Sequence, residues 1–271
     1  MTEMLNILLF IIFRQMQKYL NKIIHGDCIE KLKEFPDNSI DLIFTDPPYG
    51  VLNTKHVEWE GKIDLKNIEN EFVRVLKKDG SIFLFSSWQL WFQLLQEWKT
   101  LEFYYEVIIK HSNYFAASYK KRPVNCHEYG LVFRKKNSDV FFNERPLGYF
   151  KEPYSRKRKK HVSASHEQML RTKDEYSFEN KDGFRKPISV MEMKSKNHLP
   201  KKERTKHPTQ KDLDFCSKWI QALSPPKSVI LDPFAGSGTT GEAVIKAGEQ
   251  REFILIEKNE EYFEMIKKRL D

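Results

Sequence analysis

With 271 residues, 40% of them hydrophobic and 13% aromatic, and only 11 Gly and 12 Pro, the chain can fill the core of one domain or one and a half, which excludes wholesale disorder and collagen-like structure. A formal charge of +8 arises from 46 Lys/Arg against 38 Asp/Glu, and the three cysteines, Cys28, Cys126 and Cys216, form no CxxC pair. That spacing argues against a disulfide framework and a thiolate zinc site, and it fits a reducing, cytoplasmic setting.

The apolar run at 4–13, interrupted by Asn6, is much shorter than the roughly 20 residues needed to span a bilayer, so no membrane partner is expected. Glu3 is acidic where a signal peptide wants a basic start, and no small-residue cleavage site follows before Arg14 and Gln15. Residues 1–15 read as an N-terminal apolar extension: a helix packed on the domain, a partner-binding helix, or residues upstream of a start at Met16. Beyond it, short β-rich runs alternate with amphipathic helical ones, the pattern of a parallel sheet with crossover helices. Strands are predicted over 22–25, 40–45, 81–86, 105–110, 128–134, 228–231 and 252–257. Helices are predicted over 64–77, stopped by Asp79-Gly80, and over 88–99, 210–223, 239–246 and 260–270. The excess charge sits at 151–211, where 18 Lys/Arg face 8 Asp/Glu, a balance of +10 that leaves the remainder at about −2. This stretch contains the run Arg156, Lys157, Arg158, Lys159, Lys160. It is either a solvated loop or a polyanion contact, the latter because clustered Lys/Arg gain by displacing phosphate counterions.

Two motifs follow predicted strands. After 40–45 comes Asp46-Pro47-Pro48-Tyr49, whose consecutive prolines fix the backbone at a strand's carboxyl end, where parallel sheets place ligands. There Asp46 and the Pro47 carbonyl can accept the two hydrogens of a planar amino group while Tyr49 stacks on its ring; the plainer reading is a Pro-Pro turn capped by Asp. After the later strand comes Asp232-Pro233-Phe234-Ala235-Gly236-Ser237-Gly238-Thr239, in which Gly236, Gly238 and Gly241 fulfil GxGxxG. Glu257 ends the next predicted strand 21 residues after Gly236, a spacing that suits a carboxylate accepting hydrogen bonds from ribose hydroxyls. A nicotinamide or flavin site, or a turn used only for packing, would share the glycines; a P-loop would not, for want of its Gly-Lys-Ser/Thr.

Taken together these residues resemble the permuted beta group of S-adenosylmethionine-dependent DNA amino-methyltransferases, in which Asp-Pro-Pro-Tyr precedes Phe-x-Gly-x-Gly. The resemblance covers most of the chain. It implies an α/β, Rossmann-like methyltransferase fold, a mostly parallel twisted sheet with helices on both faces, plus a basic target-recognition insertion. The implied organisation is a catalytic half at 16–110, a basic target-recognition region with some sheet strands at 111–206, and a cofactor-binding half at 207–271. The implied cofactor is S-adenosylmethionine. His207-Pro208-Thr209-Gln210-Lys211 resembles the segment that holds its methionine end, and Gly26-Asp27-Cys28 the turn at its adenine end. His207 and Lys211 read alone are helix-capping surface residues, and Asp27 alone is a turn acid. The implied cofactor set is completed by Asp46, Asp232, Phe234, Ala235, Gly236, Ser237, Gly238, Thr239, Glu257 and Lys258, and the catalytic set is Asp46, Pro47, Pro48 and Tyr49.

On this resemblance the activity is methyl transfer to the exocyclic N6 of adenine in double-stranded DNA, by base flipping and direct in-line displacement. Asp at the first motif position favours adenine; cytosine N4 is the alternative. Methylation of RNA or a protein amide is a further reading, although those relatives usually carry Asn first and the opposite motif order, and a catalytically silent DNA-binding module is another. Carbon-5 chemistry needs a Pro-Cys nucleophile, which does not occur, so the three cysteines read as packing residues. No metal is required, and no HExxH or similar cluster occurs. DNA contacts are expected at Asn113, Lys120, Lys121 and Arg122, after a strand beside the pocket, and at Arg156, Lys157, Arg158, Lys159 and Lys160. A cognate restriction endonuclease and a homodimer are further expected partners.

Overall fold

The computed structural model describes residues 12, 14–49, 64–112, 123–158 and 176–271. They form two compact units, one within Met1–Asn143 and Ser189–Asp271, the other Glu144–Ile188. In chain order the elements are β1 (Lys22–His25), α1 (Cys28–Leu32), β2 (Ile40–Thr45), α2 (Leu65–Val75), β3 (Leu76–Ser86), α3 (Trp88–Glu97), β4 (Leu101–His111) and β5 (His127–Lys135). The second unit then contributes β6 (Tyr149–Phe150), β7 (Tyr154–Arg158), β8 (Tyr176–Asn180) and β9 (Phe184–Arg185). The chain returns with β10 (Val190–Met193), α4 (Leu213–Leu223), β11 (Val229–Asp232), α5 (Thr239–Ala247), β12 (Glu252–Glu257) and α6 (Glu260–Leu270).

Eight strands of the first unit build one sheet in the order β1-β12-β11-β2-β3-β5-β4-β10. Neighbours are parallel except at β5, which runs against both β3 and β4. The central strands are apolar almost throughout, as burial on two faces demands. On one face Ile43, Ile82, Leu84, Leu131, Phe133, Ile254 and Ile256 join Leu32 of α1, Ile68 and Phe72 of α2 and Leu90 and Leu94 of α3 in the core. Their alternates Phe83 and Phe85 point the other way, where Phe83 meets Trp219 at 4.8 Å and Phe85 meets Phe215 at 6.2 Å, both on α4. Helices therefore cover both faces, as the sequence predicts.

Chain direction sets the position of the site. From β11 the chain passes through α5 to β12 on one side, whereas from β2 it passes through α2 to β3 on the other. The carboxyl ends of the adjacent strands β11 and β2 thus flank the point where strand order reverses, the crevice in which open α/β sheets bind ligands.

Several predicted boundaries shift for local reasons. Helix α2 stops at Val75 rather than 77 because Leu76 is already extended and pairs with Ile40; β3 therefore starts five residues early, with a register irregularity opposite Ile40 and Leu42. Helix α4 starts at Leu213 rather than 210, because the Asp212 side chain caps it by accepting from the Asp214 and Phe215 N–H groups. The Gln210 side chain is used outside the helix, accepting from the Thr205 N–H at 2.7 Å and donating to the Glu203 carbonyl at 2.7 Å. Strand β10, with the short, half-exposed sequence VMEM, and the five-residue α1 are additions to the predicted set. Among the described residues no helix is long and apolar enough to cross a membrane.

The second unit consists of two antiparallel ribbons, β6 with β9 and β7 with β8. An Arg145–Asp182 ion pair of 2.7 Å and the Arg145 guanidinium, 4.6 Å from the Phe184 ring centre, pin it locally. The predicted 111–206 region is thus composite, since β5 and β10 belong to the main sheet and only Glu144–Ile188 forms the separate unit. Arg156, Lys157 and Arg158 lie on β7. Lys159, Lys160, Asn113, Lys120, Lys121 and Arg122 fall outside the described residues, as does most of the 1–15 extension.

Candidate active site

A cavity of about 930 Å³ opens at the carboxyl ends of β1, β12, β11 and β2. One wall is the turn after β11. Gly236 and Gly238 sit at φ 51° and 75°, the left-handed region that a side chain disfavours. A Cβ on Gly236 would lie 3.0 Å from His207 Nε2, so a residue with a side chain would press on the histidine. The Gly236 N–H donates to Glu257 Oε2 at 2.7 Å, and the Asn259 N–H donates to Glu257 Oε1 at 2.7 Å. Each carboxylate oxygen keeps a second lone pair, so Glu257 can still accept from hydroxyls of a ligand. Burial pushes its carboxyl up, with the backbone donors pulling it back.

Asp232 links the two chain halves. Its Oδ1 accepts the Thr45 hydroxyl at 2.8 Å and the Phe234 N–H at 3.1 Å, and its Oδ2 accepts the Thr240 hydroxyl at 2.5 Å. Burial raises its carboxyl to about 6, against the downward pull of Thr240, Thr45 and the Phe234 N–H. At the far end of the row, Asp27 caps α1 through the Ile29 N–H at 3.0 Å and pairs with Lys258 at 3.1 Å. Burial acts to raise the Asp27 carboxyl, but Lys258 and the Ile29 N–H hold it below its ordinary value.

The opposite wall is the turn after β2, where residues remote in sequence converge. The Tyr49 hydroxyl lies 2.7 Å from Asp46 Oδ1 and 3.1 Å from Glu128 Oε2. Lys211 Nζ donates to Asp46 Oδ2 at 3.0 Å and to Glu128 Oε2 at 2.9 Å, and lies 4.6 Å from the Phe85 ring centre. Burial alone would lower the lysine, but the two carboxylates outweigh it and hold the ammonium charged. The Tyr49 phenol is pushed well above its ordinary range by burial and by the same two carboxylates, so it stays a donor. Two carboxylates against one ammonium leave this wall with a net negative charge, which suits a cationic centre or a nitrogen that gains positive charge. His207 is a neutral imidazole, because burial lowers it to about 4, with Lys196 and Lys211 adding to that and Asp46 opposing.

Of the predicted site residues, Asp27, Cys28, Asp46, Pro47, Pro48, Tyr49, His207, Pro208, Thr209, Lys211, Asp232, Phe234, Ala235, Gly236, Ser237, Thr239, Glu257 and Lys258 all line this one cavity. Gly238 does not; it is the first cap of α5, and a Cβ there would lie 2.8 Å from Ile266 Cγ2, so its place in the predicted cofactor set becomes one of turn shape and helix packing. Burial pushes the Cys28 thiol up to about 12 and raises that of Cys216 as well, leaving both as packing groups. Sequence reading missed Glu128, His111, Phe85 and Thr45. A charged residue at the head of β5, just before its uncharged stretch 129–133, was the one available signal for Glu128, whose side chain is 11% exposed.

The cavity meets what an S-adenosylmethionine-sized ligand requires: a carboxylate on β12 with free lone pairs, a turn whose Cβ-less glycine leaves room beside His207, and an anionic wall beyond. The DNA methylase family profile matches residues 40–268. The chain is 31% identical over 276 residues to the Type II methyltransferase M.HinfI of Haemophilus influenzae, covering 93% of this chain and 68% of that protein. It is 30% identical over 266 residues to the DNA adenine methyltransferase YhdJ of Escherichia coli (strain K12), covering 92% and 82%. Among solved structures, the M1.HpyAVI–SAM complex aligns with a TM-score of 0.58 at 26% identity, covering 92% of this chain and 98% of that one. The PvuII cytosine-N4-specific DNA methyltransferase aligns with a TM-score of 0.61 at 16% identity, over 92% and 85%, and shares the fold.

Proposed function

This chain belongs to the DNA methylase family, and we propose from that premise that it transfers a methyl group from S-adenosylmethionine to the N6 amino group of adenine in double-stranded DNA. The observation that carries the reading is the meeting of the Asp46 turn and the Gly236 turn in one cavity, at the carboxyl ends of adjacent strands that stand 187 residues apart at Thr45 and Asp232. Support for adenine comes from the relative named as a DNA adenine methyltransferase and from Asp at the first motif position. The bound cofactor supplies an electrophilic methyl on a sulfonium.

The amino nitrogen of adenine is a poor nucleophile because its lone pair is delocalised into the ring. Asp46 and the Pro47 carbonyl accept its two hydrogens, favour localisation of the lone pair and stabilise the charge that develops on nitrogen. As the N–C bond forms and the C–S bond breaks, the surplus proton on nitrogen passes to Asp46 and then to solvent. Glu257 would orient the ribose of the bound cofactor, and the neutral His207 packs against the glycine turn without adding positive charge to the cavity. The base reaches this cavity only after leaving the duplex stack, at a cost of a few kcal/mol that stacking on Tyr49 partly offsets.

The basic run beginning at Arg156 grips phosphates and fixes register. Replacing Lys157, Arg158, Lys159 and Lys160 with Ala is expected to weaken DNA binding and flatten its dependence on salt; an unchanged slope would return them to the role of solvated surface. A cognate restriction endonuclease belongs to the same proposal, supported by the relative named a Type II methyltransferase. So does a homodimer, supported by exposed Trp88, Phe92 and Leu95 along one side of α3. The mass in solution with and without residues 1–15 tests the dimer. The three free cysteines support a reducing, cytoplasmic setting. The function is tested by comparing labelled methyl transfer to duplex DNA, RNA and protein, with DNA expected as the preferred acceptor. Preference for either of the others would contradict the reading.

A further inference from the structure

Both oxygens of Asp46 already have partners: Oδ1 accepts the Tyr49 hydroxyl at 2.7 Å and Oδ2 accepts the Lys211 ammonium at 3.0 Å. Each oxygen keeps a second lone pair, but a carboxylate whose charge is already engaged by an ammonium and a hydroxyl accepts more weakly, so an incoming amino group is held better the less those donors lean on Asp46. A second carboxylate is placed to do so. Glu128 Oε2 lies 3.1 Å from the same hydroxyl and 2.9 Å from the same ammonium. It stands on β5, the reversed strand of the main sheet, with Ile109 opposite it on β4, one residue beyond the last pairing of β5 with β3 at Ser86 and Tyr129. Its other oxygen, Oε1, lies 3.8 Å from His111 Nε2 at the end of the neighbouring strand β4.

We infer that Glu128 is a positioning residue that draws the Tyr49 hydroxyl and the Lys211 ammonium away from Asp46, so that the Asp46 carboxylate is free for the amino group of the target base. The inference rests on the reading of Asp46 as the amino-group acceptor. A carboxamide at 128 can still accept a hydrogen bond, but it does not offset the charge of Lys211, which then pairs with Asp46 alone and clamps it. Removing Lys211 as well releases that clamp. A residue that only fills space or holds the strand would show no such suppression.

The test is the single-turnover rate of methyl transfer to duplex DNA at saturating S-adenosylmethionine, with cofactor affinity measured separately by calorimetry. Glu128→Gln is expected to slow transfer roughly tenfold to a hundredfold, with cofactor affinity within about threefold of wild type. Glu128→Asp, which keeps the charge one methylene short, is expected to retain most of the rate. Adding Lys211→Met to Glu128→Gln is expected to recover about threefold or more. A Glu128→Gln rate equal to wild type, a double variant no faster than Glu128→Gln alone, or a Glu128→Asp as slow as Glu128→Gln would each overturn the inference. If Glu128→Gln does not fold, Glu128→Ala with and without Lys211→Met carries the same comparison. A wild-type protein that methylates no DNA would sink the functional reading beneath it, whereas an active wild type with an indifferent Glu128→Gln sinks the positioning role alone.

Discussion

The turns that follow β11 and β2 lie side by side yet are held in different ways. The Gly236 turn is shaped almost wholly by its own backbone, with two left-handed glycines and one N–H donated to Glu257 on the next strand. The Asp46 turn is rigid in its prolines, but its carboxylate is governed by Lys211, Glu128 and Tyr49, two of which come from β5 and from the segment before α4. A binding surface that fits a fixed ligand can be set by backbone geometry, whereas a group that must exchange partners during a reaction needs charges that can be redistributed. The contrast predicts that the two turns fail differently.

The largest effect is expected on the β2 side. Asp46→Ala should reduce methyl transfer by roughly a thousandfold or more, far more than it weakens cofactor binding, because Lys211 keeps Glu128 as its partner. Retained turnover, measured with labelled cofactor, would remove Asp46 from the role of acceptor. On the β11 side, Gly236→Ala should weaken cofactor binding roughly tenfold, since a Cβ both resists φ 51° and meets His207 at 3.0 Å. Calorimetry that finds wild-type affinity would show that the turn relaxes without cost.

The smallest expected effect concerns stability against pH, where two buried groups beside the β11 turn oppose each other. Asp232 titrates at about 6 in the folded chain against an ordinary 3.8, so the folded state holds the extra proton between those values and stability falls as pH rises from about 4 to about 6. His207 titrates at about 4 against an ordinary 6.5, so the unfolded state holds the extra proton and stability grows as pH rises over much the same window. The two contributions offset one another in the wild type. Asp232→Asn should therefore reveal a stability that increases with pH from about 4 to 6, and His207→Asn one that decreases, each of order 1–3 kcal/mol across the window in urea melts. Identical slopes in both variants would show that these groups are not linked to folding in this way.

The same contrast explains what was legible in the sequence. Strands β1, β2 and β12 and helix α6 match their predicted bounds, because alternating or continuous apolar runs ended by Asp, Asn or Gly determine them locally. Both turns were legible as motifs for the same reason. Glu128 was not, because its significance arises only when β5 inserts between β3 and β4, and nothing near it in the chain records that neighbour. Strand β10 was hidden by its length of four residues and by an edge position that leaves two of its four side chains exposed. Lys211 was legible as part of the HPTQK segment, but its grip on Asp46, 165 residues away, required the fold. The composition of the 151–211 stretch gave its charge, whereas the β7–β8 ribbon inside it and the β6–β9 ribbon that starts just before it are too short to show a period.

The most direct test of the account is transfer of labelled methyl from S-adenosylmethionine to unmodified duplex DNA, followed by hydrolysis and separation of the nucleosides. The account predicts label in N6-methyladenosine's deoxy form alone, at one short recurring sequence. Label in N4-methyldeoxycytidine, or none in DNA from a protein that binds the cofactor, would contradict it.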